Sequence, residues 1–264
     1  MGAVGLRVGR LGEQVEVKIS VVTATYNAGA TLADCLRSVA TQTHPNVEHW
    51  VIDGGSTDGS QAVVEAHRDR LAGVVSEPDR GIYDALNKGI CRATGDAVGF
   101  LHADDVYGSD DVLAAVAEAF RDPGVDAVYG DLTYVDRDDV SKVIRYWKAG
   151  ACSKERLARG WMPPHPTFYV RRSVYERYGG FDTRYRIAAD YDSIVRFLFV
   201  AGVRTAYIPR VLVRMRVGGV SNRSMKTIAR KSREDLEIMR RHRLGHVHTL
   251  LQKNLSKLGQ FWVR

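Results

Sequence analysis

Cysteine and long apolar runs are scarce in this chain of 264 residues. The three cysteines, Cys35, Cys91 and Cys152, are odd in number and far apart, and none stands in a C-x-x-C pattern. This spacing excludes a disulfide framework and the common zinc and redox motifs. We therefore expect reduced thiols, which are typical of a cytoplasmic protein.

Apolar stretches are too short to cross a membrane. Runs such as FLFVA at 197–201 have five residues, whereas a transmembrane helix needs about 20. Residues 1–16 lack the apolar core of a signal peptide, and we expect them to form a flexible leader. The sequence thus predicts no membrane span and a cytoplasmic location, with peripheral attachment to the inner face of the plasma membrane as a hypothesis.

Charge is distributed unevenly along the chain. Residues 204–264 contain 15 Lys or Arg and 3 Asp or Glu, whereas residues 1–203 carry a net charge of −5. A basic tail on an acidic body is typical of contact with an anionic partner, either phospholipid headgroups or nucleic acid. Apolar positions recur at helical spacing in the tail, so we predict that 221–264 is a basic amphipathic helical extension with helices at 224–243 and 246–258. It either lies on a membrane or packs on the body.

Strand-like and helix-like segments alternate through the first hundred residues. β-branched runs predict strands and apolar residues at helical spacing predict helices between them. Such alternation implies a parallel sheet with right-handed crossovers, and ligands bind such sheets at the carboxyl ends of the strands. The predicted strands are 17–24, 49–52, 74–76 and 97–101, and the predicted helices between them are 31–42, 61–68 and 82–90. Further along the chain, 127–131 and 132–135 look like a strand and its hairpin or edge partner, and an apolar helix is predicted at 192–201.

Polar residues follow the ends of these predicted strands. The most informative are Asp104 and Asp105, which come soon after the apolar run AVGFL at 97–101. Carboxylates at the C-terminal end of a strand suit a divalent cation that in turn holds a diphosphate. The alternative is an acidic turn that only caps the next helix.

Seven fragments of the sequence carry a family resemblance: TYN at 25–27, DGGSTD at 53–58, DRGIYDALNKG at 79–89, DD at 104–105, HP at 165–166, GGFD at 179–182 and ADYD at 189–192. Together they resemble the family 2 inverting nucleotide-sugar glycosyltransferases of the bacterial polysaccharide and glycolipid type. The resemblance covers about 17–220. It implies the GT-A fold, an α/β Rossmann-like, mostly parallel sheet flanked by helices.

The same resemblance implies a reaction and its partners. A sugar would move from a nucleoside-diphosphate sugar donor to a hydroxyl acceptor, such as a polysaccharide, lipid-linked oligosaccharide or glycolipid precursor. The implied cofactor is a divalent cation, Mn²⁺ or Mg²⁺. Such a transfer needs groups that bind the nucleotide, neutralisation of the negative charge on the departing diphosphate, and a base for the acceptor hydroxyl.

Individual residues take their expected roles from the resemblance. Asp190 matches the acid that deprotonates the acceptor hydroxyl. Asp105 is most similar to the metal ligand, and Asp104, beside it, is expected at the metal and near the ribose or sugar. The residues expected to bind the nucleotide sugar are Thr25, Tyr26, Asn27, Asp53, Asp79, Arg80 and Asp104.

The chemistry of these residues agrees with their expected roles, although simpler interpretations stay open. Tyr26 is suited to stack on a base and Asp53 to accept hydrogen bonds from base or ribose, but they also suit a sheet edge and a loop cap. Arg80 stands in a Gly-containing loop that opens a helix, a favourable place for an anion. Gly54 stands where many relatives carry an acid similar to one that recognises uracil, so the donor base is left open.

His165 and Trp161 are weaker candidates. His165 lies between prolines that hold it in an extended conformation, and the resemblance suggests a place near the diphosphate or the acceptor. Trp161 would line an acceptor pocket. A structural histidine and a buried tryptophan are the alternatives.

Two other classes of protein fit parts of the sequence. A basic nucleic-acid-binding protein fits the pI of about 9.4, but the basic residues are not interleaved with stacking aromatics, so no nucleic-acid partner is expected. A non-catalytic nucleotide-binding module fits the polar loops. It would tolerate the loss of Asp190, whereas a transferase would not.

Overall fold

The N-terminal half of the sheet is parallel in the computed structural model, which describes residues 16–218, 225–245, 249, 250 and 253. Its strands lie side by side in the order third, second, first, fourth, and a helix connects each strand to the next in the chain, as predicted. The elements are β1 (Ile19–Thr25), α1 (Gly29–Ala40), β2 (Val47–Asp53), α2 (Ser60–Ala66), β3 (Gly73–Ser76), α3 (Ile82–Arg92) and β4 (Ala97–Phe100).

Antiparallel pairs enter the sheet in its second half. Beyond β4 the order continues with the eighth, sixth, ninth and fifth strands, and the seventh pairs with the sixth. The elements are β5 (Val106–Tyr107), α4 (Val112–Ala119), β6 (Ala127–Val135), β7 (Val143–Trp147), α5 (Lys154–Ala158), β8 (Tyr169–Arg171), α6 (Arg172–Tyr178), α7 (Ala189–Ile194), β9 (Thr205–Arg216) and α8 (Met225–Arg241). The predicted α/β class with a Rossmann-like sheet and flanking helices is confirmed.

Burial explains why these segments adopt their structures. Every residue of β1 is buried, as expected for a strand covered by helices on both faces. In α1 the buried residues recur at helical spacing, at Leu32, Cys35, Leu36 and Val39, so one stripe of the helix faces the sheet. The packing of α3 on β1 requires glycine at position 89, because a Cβ there would lie 2.2 Å from a methyl carbon of Val22.

Two local predictions differ from the structure. Residues 127–131 and 132–135 look like a strand and its hairpin partner, but they form one strand, β6, whose hairpin partner is β7. The apolar helix expected from Asp192 to Ala201 begins earlier, at Ala189, and continues beyond α7 as a π-helical turn, Val195–Val200. Long-range pairing decides the first case, since both parts of β6 pair with β9.

The basic tail begins with α8, close to the first helix predicted there. Its inner residues Ile238 and Met239 are fully buried against the body, which favours packing over lipid contact for that apolar face. The second predicted helix of the tail lies mostly outside the described residues, as does the predicted leader apart from Glu16. Among the helices of the described ranges, every one is too short or too polar to cross a bilayer.

Candidate active site

The loops that follow the parallel strands meet at one edge of the sheet. Because the strands are in register, Thr25 lies beside Asp53, and Asp53 lies beside Ser76. The β4 strand also runs parallel to β1, so the loop with Asp104 and Asp105 leaves at the same edge. This edge is where open α/β sheets bind their ligands.

The loop after β1 presents an aromatic ring to solvent. The side chain of Tyr26 is 67% exposed, the largest value among the exposed large apolar residues described. Asn27 adopts a left-handed backbone with φ of 49°, and its Oδ1 accepts the Thr57 N–H at 2.9 Å. Thr25 is buried at the strand end. Asn27 and Thr25 therefore fix the turn, and the exposed Tyr26 ring is available to stack on a flat group.

Neighbouring residues occupy the hydrogen-bonding capacity of the Asp53 carboxylate. The carboxylate is buried and accepts hydrogen bonds from Ser56, Ser76 and Gln61. Burial raises the pKa of Asp53, but these bonds outweigh it and lower that pKa below its ordinary value. Asp53 also lines a cavity of about 310 Å³ between α2 and β3. Its carboxylate therefore organises the loops around that cavity.

Asp79 lies close to the residue that follows Asp53. A Cβ on Gly54 would stand 3.0 Å from Asp79 Oδ2 and 3.4 Å from the Tyr26 ring, so the glycine brings these two side chains near one another. Lys88 pairs with Asp79 at 2.5 Å and with Glu77 at 2.8 Å. The Asp79 carboxylate is therefore held in place beside Tyr26.

Arg80 reaches into solvent at the same edge. Its side chain is 84% exposed and pairs with Asp84 at 3.1 Å. Its carbonyl oxygen accepts a hydrogen bond from Arg186 Nη1 at 2.8 Å. Because the Arg80 side chain is exposed, the pair contributes little to stability, and the guanidinium is available to an anion.

The two neighbouring acids after β4 have different environments. Asp105 is 1% exposed and accepts the N–H of Arg216 at 3.2 Å. Burial and the nearby Asp104 raise the pKa of Asp105 well above its ordinary value. Asp104 is half-buried, and within the described ranges its carboxylate accepts no hydrogen bond. Its backbone carbonyl is held by Arg216 Nη1 at 2.8 Å.

Asp190 is placed by residues from three other segments. The Tyr83 hydroxyl lies 3.0 Å from its Oδ1 and 2.7 Å from the carbonyl oxygen of Ile187, and His165 Nδ1 lies 3.3 Å from its Oδ2. Burial raises the pKa of Asp190, but His165, Lys231 and the hydrogen bonds to the carboxylate outweigh it and lower that pKa. Asp190 is therefore deprotonated at neutral pH.

Two histidines connect the acidic loop after β4 to Asp190. The rings of His102 and His165 are 5.6 Å apart, and the Asp104 and Asp190 carboxylates lie close enough to His102 to oppose the lowering of its pKa by burial. Burial lowers the pKa of His102, and it lowers the pKa of His165 to about 4. Both rings are therefore neutral at pH 7, and they bring Asp104 and Asp190 into one site.

Trp161 packs beside this site against aromatic and basic neighbours. Its indole Nε1 donates to the carbonyl oxygen of Ala149 at 3.0 Å, Arg156 lies over its ring at 4.5 Å, and the Tyr129 ring is 5.9 Å away. These contacts account for Trp161 as a packed residue. They give no information about the acceptor.

Sequence reasoning missed residues that complete the site. Tyr83 lies within the DRGIYDALNKG fragment, where an aromatic residue among polar neighbours was the available signal. Gln61 opens α2 and reaches Asp53 at 3.2 Å. Lys231 acts electrostatically on both Asp190 and His165, and no sequence signal distinguished it from the other basic residues of the tail.

The residues around Asp104 suit a cation held by few protein groups. In the described part of the chain, no three His, Cys, Asp or Glu residues form a ready metal cluster. Among the described residues, the Asp104 carboxylate nevertheless has no hydrogen-bond donor, and the nearby His102 Nδ1 is buried without a hydrogen-bond partner. Mg²⁺ and similar ions often use one or two carboxylates together with substrate phosphates. The donor set therefore fits a divalent cation shared with a diphosphate.

Sequence comparison finds a family and a relative. The model of "Glycosyl transferase family 2" matches residues 20–179. A "PGL/p-HBAD biosynthesis glycosyltransferase" of Mycobacterium bovis (strain BCG / Pasteur 1173P2) is 32% identical over 209 residues, which are 77% of this chain and 78% of that protein.

Structural comparison finds the same fold in distant proteins. The S. aureus TarS fragment 1–349 in complex with UDP matches with a TM-score of 0.65 at 19% identity, over 91% of this chain and 71% of that one. A mannosyltransferase, PcManGT from Pyrobaculum calidifontis in complex with GDP-Man and Mn²⁺, matches with a TM-score of 0.62 at 20% identity, over 92% and 75% of the two chains. At these identities the likeness concerns the fold.

Proposed function

The chain belongs to glycosyl transferase family 2 and is a glycosyltransferase, and from this premise we propose that it is a metal-dependent inverting enzyme with a nucleoside-diphosphate sugar donor. One observation carries the proposal. Asp190, a deprotonated carboxylate held by Tyr83 and His165, shares a site with the unengaged carboxylate of Asp104. A base and an anchor for the leaving group therefore meet at the strand ends.

The proposed roles follow from the surroundings of each residue. Tyr26 stacks on the nucleotide base, Asp79 contacts the base or ribose beside it, and Arg80 contacts the diphosphate. Asp53, whose hydrogen bonds are satisfied internally, shapes these loops together with Thr25 and Asn27. Asp104, rather than the buried Asp105, faces the cation, and Asp105 supports the turn through Arg216.

In the proposed reaction, Asp190 takes the proton of the acceptor hydroxyl as the oxygen attacks the anomeric carbon. The bond from that carbon to the diphosphate oxygen breaks on the opposite face, so the configuration inverts. A divalent cation bound at Asp104 would neutralise charge on the departing diphosphate. His165 and Tyr83 hold the Asp190 carboxylate towards the acceptor.

The acceptor is proposed to carry a hydroxyl group on a lipid-linked or glycolipid precursor. The name of the M. bovis relative supports this choice, since it assigns that protein to PGL/p-HBAD biosynthesis. The outward face of α8 carries the exposed residues Arg230, Arg233 and Arg240, which suit an anionic surface. Membrane contact stays a prediction.

A nucleotide-sugar screen tests the donor class. UDP-, GDP- and dTDP-sugars with Mn²⁺ are added to the full chain, and thermal unfolding is followed. A donor at 100 times its Kd should stabilise the chain by about 2.7 kcal/mol, which corresponds to a rise in Tm of roughly 5 °C. The rise should disappear with EDTA. No rise with any of these sugars would contradict the proposed donor class.

Replacing Tyr26 tests base stacking. Tyr26→Ala removes an exposed ring and should weaken binding of the donor found in the screen by about 10-fold, because stacking on an aromatic ring contributes about 1–3 kcal/mol. Tyr26→Phe keeps the ring and is the matched control, with the Kd expected within about twofold of wild type. Titration calorimetry measures both. Equal affinities for the alanine variant and wild type would exclude stacking on Tyr26.

A further inference from the structure

The helix α8 is docked on the catalytic half of the molecule. Two of its apolar residues, Ile238 and Met239, are fully buried, and Glu234 and Asp235, one turn earlier on the same face, are also buried. Residues 204–264 contain only three acids, so two of the three lie against the body. Burying a carboxylate is costly unless it is paired or hydrogen-bonded. Asp235 Oδ2 pairs with Lys253 Nζ at 2.9 Å, and Glu234 is hydrogen-bonded to backbone N–H groups.

Glu234 binds the turn that leads into α7. Its Oε1 accepts the N–H of Arg186 at 3.1 Å, and its Oε2 accepts the N–H groups of Ile187 at 2.9 Å and Ala188 at 3.0 Å. Charge-assisted hydrogen bonds of this kind are stronger than neutral ones. One side chain of α8 thus satisfies three consecutive backbone donors that precede the Asp190 helix.

The same turn is connected to the base on its other side. The carbonyl oxygen of Ile187 accepts the Tyr83 hydroxyl, which also lies 3.0 Å from Asp190 Oδ1. Asp190 follows Ala188 by two residues and lies in the first turn of α7. A displacement of the turn would therefore move the carboxylate and break its contact with Tyr83.

Further contacts hold α8 at the same place. His242 Nε2 lies 2.8 Å from Asp192 Oδ1, and Arg241 pairs with Asp182 at 2.9 Å. These contacts flank the turn on both sides in the sequence, whereas Glu234 contacts the backbone N–H groups of the turn itself.

We propose that Glu234 is a positioning residue for catalysis: its carboxylate fixes the turn at 186–188 and thereby the orientation of Asp190 towards the acceptor hydroxyl. The catalytic part of this inference rests on the proposed function. It makes α8 a component of the active site, whereas the composition of the tail suggests an accessory segment. Small misplacements of a catalytic group cost as much as about 100-fold in rate.

The test uses four full-length proteins: wild type, Glu234→Gln, Glu234→Asp and Glu237→Gln. Gln keeps the shape of Glu234 but turns an amide NH₂ towards backbone N–H groups and removes the charge. Glu237 lies on the same helix and is exposed, so its variant is the matched control. Turnover is measured as release of the nucleoside diphosphate from the donor found in the screen, and amide hydrogen exchange is measured at 186–190.

Glu234→Gln should lower kcat by about 10-fold to 100-fold with the donor KM within about twofold of wild type, and should speed exchange at 186–190 while leaving 29–40 unchanged. Glu234→Asp keeps the charge and should recover part of kcat, and Glu237→Gln should match wild type. A kcat for Glu234→Gln equal to that of Glu237→Gln, or a loss matched by donor affinity, would overturn the inference. Unchanged exchange at 186–190 would overturn it too, even without turnover. Failure of wild type to use any donor would instead contradict the proposed function.

Discussion

Asp190→Asn is expected to lower kcat by about 10³-fold, the middle of the range for loss of a general base. The amide has the size of the carboxylate but accepts no proton from the acceptor hydroxyl. Donor binding should change by less than about twofold, since the proposed base contacts the acceptor. Steady-state release of the nucleoside diphosphate gives kcat, and calorimetry gives the Kd of the donor.

Asp69→Asn is the matched control. Asp69 is an exposed acid that follows α2 in the sequence, and its replacement should leave kcat unchanged. The pH dependence gives a second readout. The active form of Asp190 is deprotonated and its pKa lies below the ordinary 3.8, so this group should cause no loss of activity on acidification from pH 7 to about 5. Retained turnover in Asp190→Asn would assign the base to another residue.

Asp104→Asn is expected to lower metal-dependent turnover by at least about 100-fold, because charge stabilisation by a bound cation contributes several kcal/mol. Of the two neighbouring acids, Asp104 has the carboxylate that accepts no hydrogen bond within the described ranges. Its replacement therefore removes an available ligand without breaking a hydrogen-bond network. The apparent Kd for Mn²⁺ in the presence of donor should weaken in parallel. Removing metal from the wild type with EDTA should reproduce the loss.

Asp105→Asn separates the two neighbouring acids. Asp105 is buried and accepts the Arg216 N–H, so its replacement should lower Tm while leaving the apparent Kd for Mn²⁺ within about twofold of wild type. The opposite pattern, with Mn²⁺ affinity lost in Asp105→Asn and kept in Asp104→Asn, would return the ligand role to Asp105, as the family resemblance alone predicts.

Short-range patterns predicted the first half of the fold well. Strands β1 to β4 and the helices between them lie close to their predicted positions, since alternating buried strands and amphipathic helices leave a periodic signal within a few residues. The pairing of β6 with β9 leaves no such signal, and it was here that the division at 131/132 was wrong. Residues 127–135 and 205–216 are far apart in the sequence, and they pair only in the tertiary structure.

Part of the candidate site could also be read from the chain. The carboxyl ends of neighbouring parallel strands lie at one edge of a sheet. This rule and the order of the polar loops are enough to predict that Tyr26, Asp53 and the acidic pair lie near one another. Their individual environments could not be read. Asp104 and Asp105 are neighbours of the same chemical type. They are distinguished by the burial of Asp105 and by the contact between its carboxylate and Arg216, 111 residues away.

The sequence by itself determined the family, the α/β order of the first half and the edge at which the polar loops gather, because each of these depends on local periodicity or on residue types at fixed spacing. The tertiary structure alone decided which carboxylate is buried, which groups hold Asp190, and that α8 reaches the turn before it. Those properties depend on desolvation and on hydrogen bonds between distant segments. Neither quantity exists until the segments are packed together.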